Sequence, residues 1–205
     1  MTNQKTINDI SLLGGHLALD FVNTVDSRGE RWGPELLKSY HDLATWARRL
    51  GVIGEQEYAV LLAKATKSPA QAQKELLHAR DLREALYRIF LTESYATSSG
   101  EEDLALLNKV VQRLQAQRTL TSTAGMIEWR YLTGEHLDAI ANRVGWSAAE
   151  LLTSRHERRP IRACQGPNCG WLFLDQSRNG HRRWCSDKTC GSHARVRKFR
   201  AVRTA

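Results

Sequence analysis

Four cysteines carry the most specific chemistry in the sequence. All lie between residues 164 and 190, spaced Cys164-x4-Cys169-x15-Cys185-x4-Cys190, and the rest of the 205 residues has none. Two thiol pairs, separated by a segment long enough to fold back, can place four sulfurs around one ion. Four thiolates at about 2.3 Å close a tetrahedral zinc site with no position left for water, so the chemistry is structural rather than catalytic. The stretch "MTNQKTINDISLLGG" has polar residues where a secretion leader needs apolar ones, and no apolar run approaches the roughly 18 residues of a membrane span. The expected place is the cytoplasm, with no membrane partner, where thiols stay reduced and metal ligation comes before disulfides. Free buried thiols and a redox switch are the other uses open to such cysteines. His181 and His193 are possible substitute ligands, expected to be exposed because four cysteines are available.

A zinc ion with four thiolates carries a net charge of about −2, which needs positive groups nearby, and Arg162, Arg183 and Lys188 lie within a few residues of a cysteine. The charge extends further. From Arg155 to Ala205 there are 13 Lys and Arg against 3 acidic residues, a net of +10, whereas the first 154 residues carry a net of −2. A basic module on a near-neutral body is the footprint of a polyanion partner, with a solvated tail as the plain alternative. The residues expected to meet nucleic acid are Arg178, Arg182 and Arg183, from the loop before Cys185, and Arg195, Arg197, Lys198, Arg200 and Arg203 after Cys190. Mostly they would contact phosphates and so supply affinity more than sequence choice.

These residues need a scaffold. "QGPN" supplies Gly166, Pro167 and Asn168 for a knuckle, "WLFLD" a strand, "QSRNGH" a turn and "RRWCS" its return. "GSHARVRKFRAVR" then reads as a helix with Val196, Phe199 and Val202 on one side and the basic residues pointing away from them. Knuckle, hairpin and a helix whose first turn holds the last ligand form a treble-clef arrangement. About 40 basic residues cannot bury enough apolar surface to fold alone, and a metal supplies the missing stability. Metal removal is therefore expected to unfold the last 45 or so residues and leave the rest helical. Trp171 and Trp184 are read as core of this module, with base stacking as the other use.

Residues 1–154 read as a separate helical domain, so the fold class is mainly α with a small β-hairpin, followed by a zinc finger over 155–205. Ser39 caps a helix with Asp42 at N3, an apolar face of Leu43, Trp46, Ala47 and Leu50, and Gly51 as its stop. Ser68 and Pro69 open a longer helix with Leu76, Ala79, Leu82, Leu86, Ile89 and Phe90 on a 3.6-residue period. Glu101 to Gln117 repeats the pattern through Leu104, Leu107, Val111 and Leu114. Residues 118–132 alternate about a turn at Ala124 and Gly125, as a hairpin does. The stripes are core positions, not a cofactor box.

Two features remain open. "LDAIANRVGWSAAELL" sets Ala141, Gly145 and Leu151 at helix-turn-helix offsets, but its second helix would offer Ser147, Ala148, Ala149 and Glu150 to DNA, a poor reading surface. An ordinary kinked or broken helix is the alternative. Near the start, "LLGGHLALDFVNTVDSRGERWG" combines two glycines, an alternating apolar run and an Asp-Phe-Val-Asn-Thr turn. His16, Asp20 and Asn23 could line a ligand pocket there, or simply satisfy main-chain donors. Through Gly14, Gly15, Leu17, Leu19, Asp20, Phe21, Asn23 and Thr24 this stretch resembles the ABATE domain.

The cysteine segment is similar to the CGNR zinc finger, which usually follows an ABATE domain. The matching positions are Cys164, Cys169, Phe173, Asp175, Ser177, Arg182, Arg183, Trp184, Cys185, Ser186, Cys190 and Gly191. The name-giving Cys-Gly-Asn-Arg is here "CGSH", with Ser192 and His193 in place of Asn and Arg, a change that leaves the zinc ligands untouched. The resemblance implies a stress-linked transcription regulator that binds nucleic acid. Combined with the charge, it gives a DNA-binding regulator with one structural zinc per chain and a helical domain that senses an effector or forms a homodimer. RNA binding, and a zinc-dependent module that docks an acidic protein, are the alternatives. No open metal site, phosphate loop or Ser/His/Asp grouping points to an enzyme.

Overall fold

The computed structural model describes residues 5–29, 31–95, 98, 100–131 and 136–203, the side chains of Val202 and Arg203 excepted. After a 3-10 turn at Ile7–Asp9, helices α1 (Leu17–Val22), α2 (Tyr40–Arg49), α3 (Glu55–Lys67), α4 (Pro69–Tyr95) and α5 (Glu101–Ala116) lead to strands β1 (Arg118–Thr123) and β2 (Met126–Tyr131). Helix α6 (Ala139–Thr153), strands β3 (Ile161–Ala163) and β4 (Leu172–Leu174), a π-helical turn at Asp187–Gly191 and helix α7 (Ser192–Arg203) complete the order.

Local signals set many of these ends. Ser39 Oγ accepts from the Asp42 N–H at 3.2 Å while Asp42 accepts from the Ser39 N–H at 2.7 Å, a reciprocal cap that starts α2. Pro69 occupies the first position of α4, where its missing N–H costs nothing. Helix α5 buries Leu107, Val110 and Leu114, whereas Leu104 is exposed, so its inner face is rotated from the one the leucine spacing suggests. The β1–β2 hairpin closes through Ala124 and Gly125, both with positive φ, in register Thr123↔Met126 to Arg118↔Tyr131.

Three expectations change. Helix α6 runs unbroken through Gly145, which excludes a helix-turn-helix at this point. A Cβ on Gly145 would lie 2.3 Å from Val110 Cγ1, so this glycine permits close packing of α5 on α6 and makes no turn. Of the Asp-Phe-Val-Asn-Thr segment only Asn23 and Thr24 turn, with the Thr24 N–H on the Phe21 carbonyl at 3.0 Å; Leu17–Val22 forms α1, with His16 Nδ1 capping the Ala18 N–H at 3.2 Å and Ala18 to Val22 buried. In the finger, β4 pairs with β3 in register Ile161↔Leu174, Arg162↔Phe173 and Ala163↔Leu172, so the knuckle is the tip of this hairpin. Residues 181–186 return without forming a strand. Asp175, fully buried, takes the N–H groups of Ser177 at 3.1 Å and Arg182 at 3.0 Å, and this turn replaces a ladder.

One continuous core includes residues of α1, α2, α4 and α6 together with Trp171, Leu172, Phe173 and Cys185 of the finger. No described helix is long and apolar enough to cross a membrane.

Candidate metal centre and basic face

Cys164 and Cys169 frame the knuckle between β3 and β4. Its sharp reversal is made possible by positive φ at Asn168 and Gly170. Gly166 lets the second pair approach, because a Cβ there would lie 2.8 Å from Cys190 Cβ and Sγ. Cys185 ends the return segment and Cys190 lies in the π-helical turn before α7. The four sulfurs all fall within 4.8 Å of one another, with Cys169–Cys185 at 3.7 Å and Cys185–Cys190 at 3.8 Å. A tetrahedral zinc with ~2.3 Å bonds separates its sulfurs by about 3.8 Å, so the arrangement fits that ion.

The electrostatics agree. Hydrogen bonds from the Cys169 and Cys185 thiols, then from the Cys185 and Gly166 amides, hold the Cys164 thiol far below its usual value. The same contacts with Cys164 push Cys169 and Cys185 up, and burial pushes Cys190 up. A divalent cation bound by all four sulfurs favours their thiolate forms, so binding releases protons. His181 and His193 are both exposed, as expected.

The finger is seated firmly on the body. Asn23 Nδ2 donates to the Leu172 carbonyl at 2.8 Å and its Oδ1 accepts from the Leu172 N–H at 2.9 Å. Trp171 is buried and its Nε1 donates to the Val25 carbonyl at 2.7 Å, which makes it core. The Arg28 N–H donates to the Cys169 carbonyl at 2.8 Å, Ser27 Oγ donates to the Asn168 carbonyl, and the Arg31 N–H donates to Asn168 Oδ1 at 2.6 Å. From α4, Tyr87 donates to the Gly170 carbonyl at 3.0 Å, and Glu93 accepts from the Ile161 N–H at 2.7 Å and from Arg158.

His16, Asp20 and Asn23 each hold main-chain groups: His16 caps α1, Asp20 accepts from the Gly14 N–H at 2.8 Å, and Asn23 holds Leu172. Burial pushes the Asp20 carboxyl up to about 6, against the pull of the Gly14 and Leu13 amides and Arg49.

The basic residues divide into two groups. Arg182 lies with its guanidinium 4.3 Å from the Phe173 ring centre and donates to the carbonyls of Trp184, at 2.9 Å, and Cys185. Two of its five N–H donors are used inside the finger. Arg195 is exposed but bound to Asp187 at 2.8 Å, and Arg183 donates to Gln165 at 2.8 Å while remaining exposed. Arg178, Arg197, Lys198 and Arg200 are exposed, and the side chain of Arg203 lies outside the described residues. Val196 and Phe199 are 47% and 63% exposed.

Sequence reasoning passed over the buried charge network that steadies the finger's seat. Arg83, 1% exposed, forms a two-pronged contact with Glu35 at 2.6 and 2.7 Å and pairs with Glu84, which also binds Arg28 at 2.6 Å. Arg28 lies 4.1 Å from the Tyr87 ring centre. The signal was present: Arg83 sits on the same period as Leu76, Ala79, Leu86 and Phe90, where a charge requires a partner.

A helical body carrying a four-cysteine zinc finger defines the class. Residues 15–155 match the family ABATE, "Putative stress-induced transcription regulator", and residues 161–203 match the CGNR zinc finger. The chain belongs to the ABATE family and ends in a CGNR-type finger that holds one structural zinc. Neither matched family is an enzyme family. No curated protein matches the sequence.

Proposed function

We propose that this protein is a cytoplasmic DNA-binding transcription regulator. The finger grips the phosphate backbone, and the helical body, residues 1–154, senses an effector or joins two copies. The observation that carries this reading is the exposed basic surface of the finger, where Arg178, Arg183, Arg197, Lys198 and Arg200 all reach solvent on a segment of net charge +10. Zinc acts at a distance: it fixes the turn from which α7 projects, and its closed ligand set takes no substrate. The burial of Trp171 removes one of two stacking surfaces that single-stranded RNA would need and favours duplex DNA.

The test is a titration of zinc-loaded protein with duplex DNA over a range of salt. About five phosphate contacts give a slope of log K against log salt near −4.5. Binding that is absent at low salt, or that ignores salt, overturns the reading and favours a protein partner.

A further inference from the structure

The β1–β2 hairpin is the least committed element of the fold. Leu120, Met126, Ile127 and Trp129 are 56%, 70%, 75% and 52% exposed, and a two-stranded ribbon of this kind is marginal in water. It meets the body at its base, where the Arg118 guanidinium lies 4.1 Å from the Trp129 ring centre and 3.5 Å from that of Trp146, and Arg143 lies 4.2 Å from that of Tyr131.

Its two-residue turn fixes where the main-chain groups point. Thr123 and Met126 flank the turn and bond each other, and the bonded pairs then alternate along the ladder. The N–H and C=O groups of Ile127, Trp129 and Tyr131 therefore face away from β1, and among the described residues none has another main-chain partner. An edge of this length without Pro or Lys is a template for an added strand.

The side chains specify which strand. Ile127, Trp129 and Tyr131 share one face of β2, and Glu128 and Arg130 the other. Outward-facing residues must meet outward-facing residues, which limits the two-fold registers in which two copies of β2 can pair. A dyad on Glu128 opposes two carboxylates, and one on Arg130 opposes two guanidinium groups. Dyads on Ile127 or Tyr131 shorten the overlap. A dyad on Trp129 joins residues 127–131, sets Glu128 opposite the partner's Arg130 twice, and places Ile127 beside the partner's Tyr131 with the two indoles meeting between them. Among the described residues Glu128 and Arg130 make no ion pair, and the Glu128 carboxylate accepts one hydrogen bond, from Thr123 at 3.0 Å. A cleft of about 670 Å³, lined by Val52, Glu57, Val60 and Arg143 of the body and by residues 128–131 of β2, runs beside this edge. A strand laid along β2 would roof it.

We propose that β2 pairs antiparallel with β2 of a second copy about Trp129, joining two hairpins into a four-stranded sheet and two chains into a homodimer. This deepens the joining role given above to the helical body and is independent of DNA binding. The experiment is sedimentation equilibrium of the zinc-loaded full chain, without nucleic acid, across the micromolar range. The native protein is expected to dimerise reversibly. Glu128→Arg and Arg130→Glu, each at an exposed site, should each weaken the dimer by about tenfold or more, because both cross-strand pairs become repulsive. An equimolar mixture of the two variants should associate as the native protein does, as should the double variant, since either restores opposite charges across the dyad. Unchanged circular dichroism and zinc content confirm that each variant is folded. A native chain that stays monomeric, a dimer indifferent to the single reversals, or a mixture that fails to associate overturns the proposal, whatever the DNA titration gives.

Discussion

Asn23 and Leu172, 149 residues apart, are joined as two strands are: the carboxamide of Asn23 donates to the Leu172 carbonyl at 2.8 Å and accepts from its N–H at 2.9 Å. Both residues are buried, so no water can replace either bond. Asn23→Ala should leave two unpaired main-chain groups and cost about 2–4 kcal/mol. The measurement is urea unfolding of zinc-loaded protein, in which the midpoint should fall with little change in slope. A midpoint equal to the native one would show that the finger does not depend on this clip.

That clip marks the limit of what could be read from the chain. The ends of α2 were legible because Ser39 and Asp42 act three residues apart and Gly51, with positive φ, follows the last turn directly, and the hairpin because Gly125 takes positive φ without strain between two alternating runs. The four cysteines were legible because each pair is set by its own short spacing. Helix α3 was not anticipated: Leu61 is its one fully buried residue, so it shows little apolar stripe. Nor were α1 or the β3–β4 pairing: Asp20, in α1, and Asp175, after β4, are buried aspartates whose partners are fixed by the packed fold. Asn23 stood out as a residue worth explaining, but its partner lies in the other matched segment and no local pattern names it.

Zinc should bind at one equivalent per chain, and Cys185→Ser should reduce this sharply, as elemental analysis can determine. Binding should release protons in weakly buffered solution, because thiols must ionise to ligate the ion. Chelation was expected from the sequence to leave the body untouched. Since Trp171, Leu172 and Phe173 share the core of α1 and α4, the remaining helices should instead melt about 5 °C lower or more. A body that melts at its native temperature after chelation would restore the view of two independent units.

Asp20 should make stability depend on pH. Its folded pKa, raised to about 6 by burial, lies above the unfolded value, so its contribution is full below about pH 4 and is lost as pH rises through 6. Two units correspond to at most about 3 kcal/mol. Asp20→Asn keeps an oxygen for the Gly14 N–H and removes the charge. Relative to the native protein, this variant should gain stability between pH 4 and pH 7 in parallel denaturant titrations. A constant difference across that range would show that Asp20 is not the group being titrated.

The two groups of basic residues should separate affinity from stability. Arg182 stacks on Phe173 and holds two carbonyls of the turn that carries Cys185, whereas Arg197, Lys198 and Arg200 project from α7 into solvent. Replacing these three with alanine should weaken DNA binding and flatten the salt slope by about two to three units, roughly one per phosphate contact, while zinc content stays native. Arg182→Ala should do the reverse: the slope is kept, but the midpoint falls and zinc leaves faster under chelator. Arg195 stands between the groups, since its removal leaves the exposed Asp187 carboxylate uncompensated beside the basic face. Arg195→Gln should therefore weaken binding through added repulsion. A slope unmoved by the triple substitution, with Arg182→Ala flattening it instead, would transfer the phosphate contacts from α7 to the return segment before Cys185.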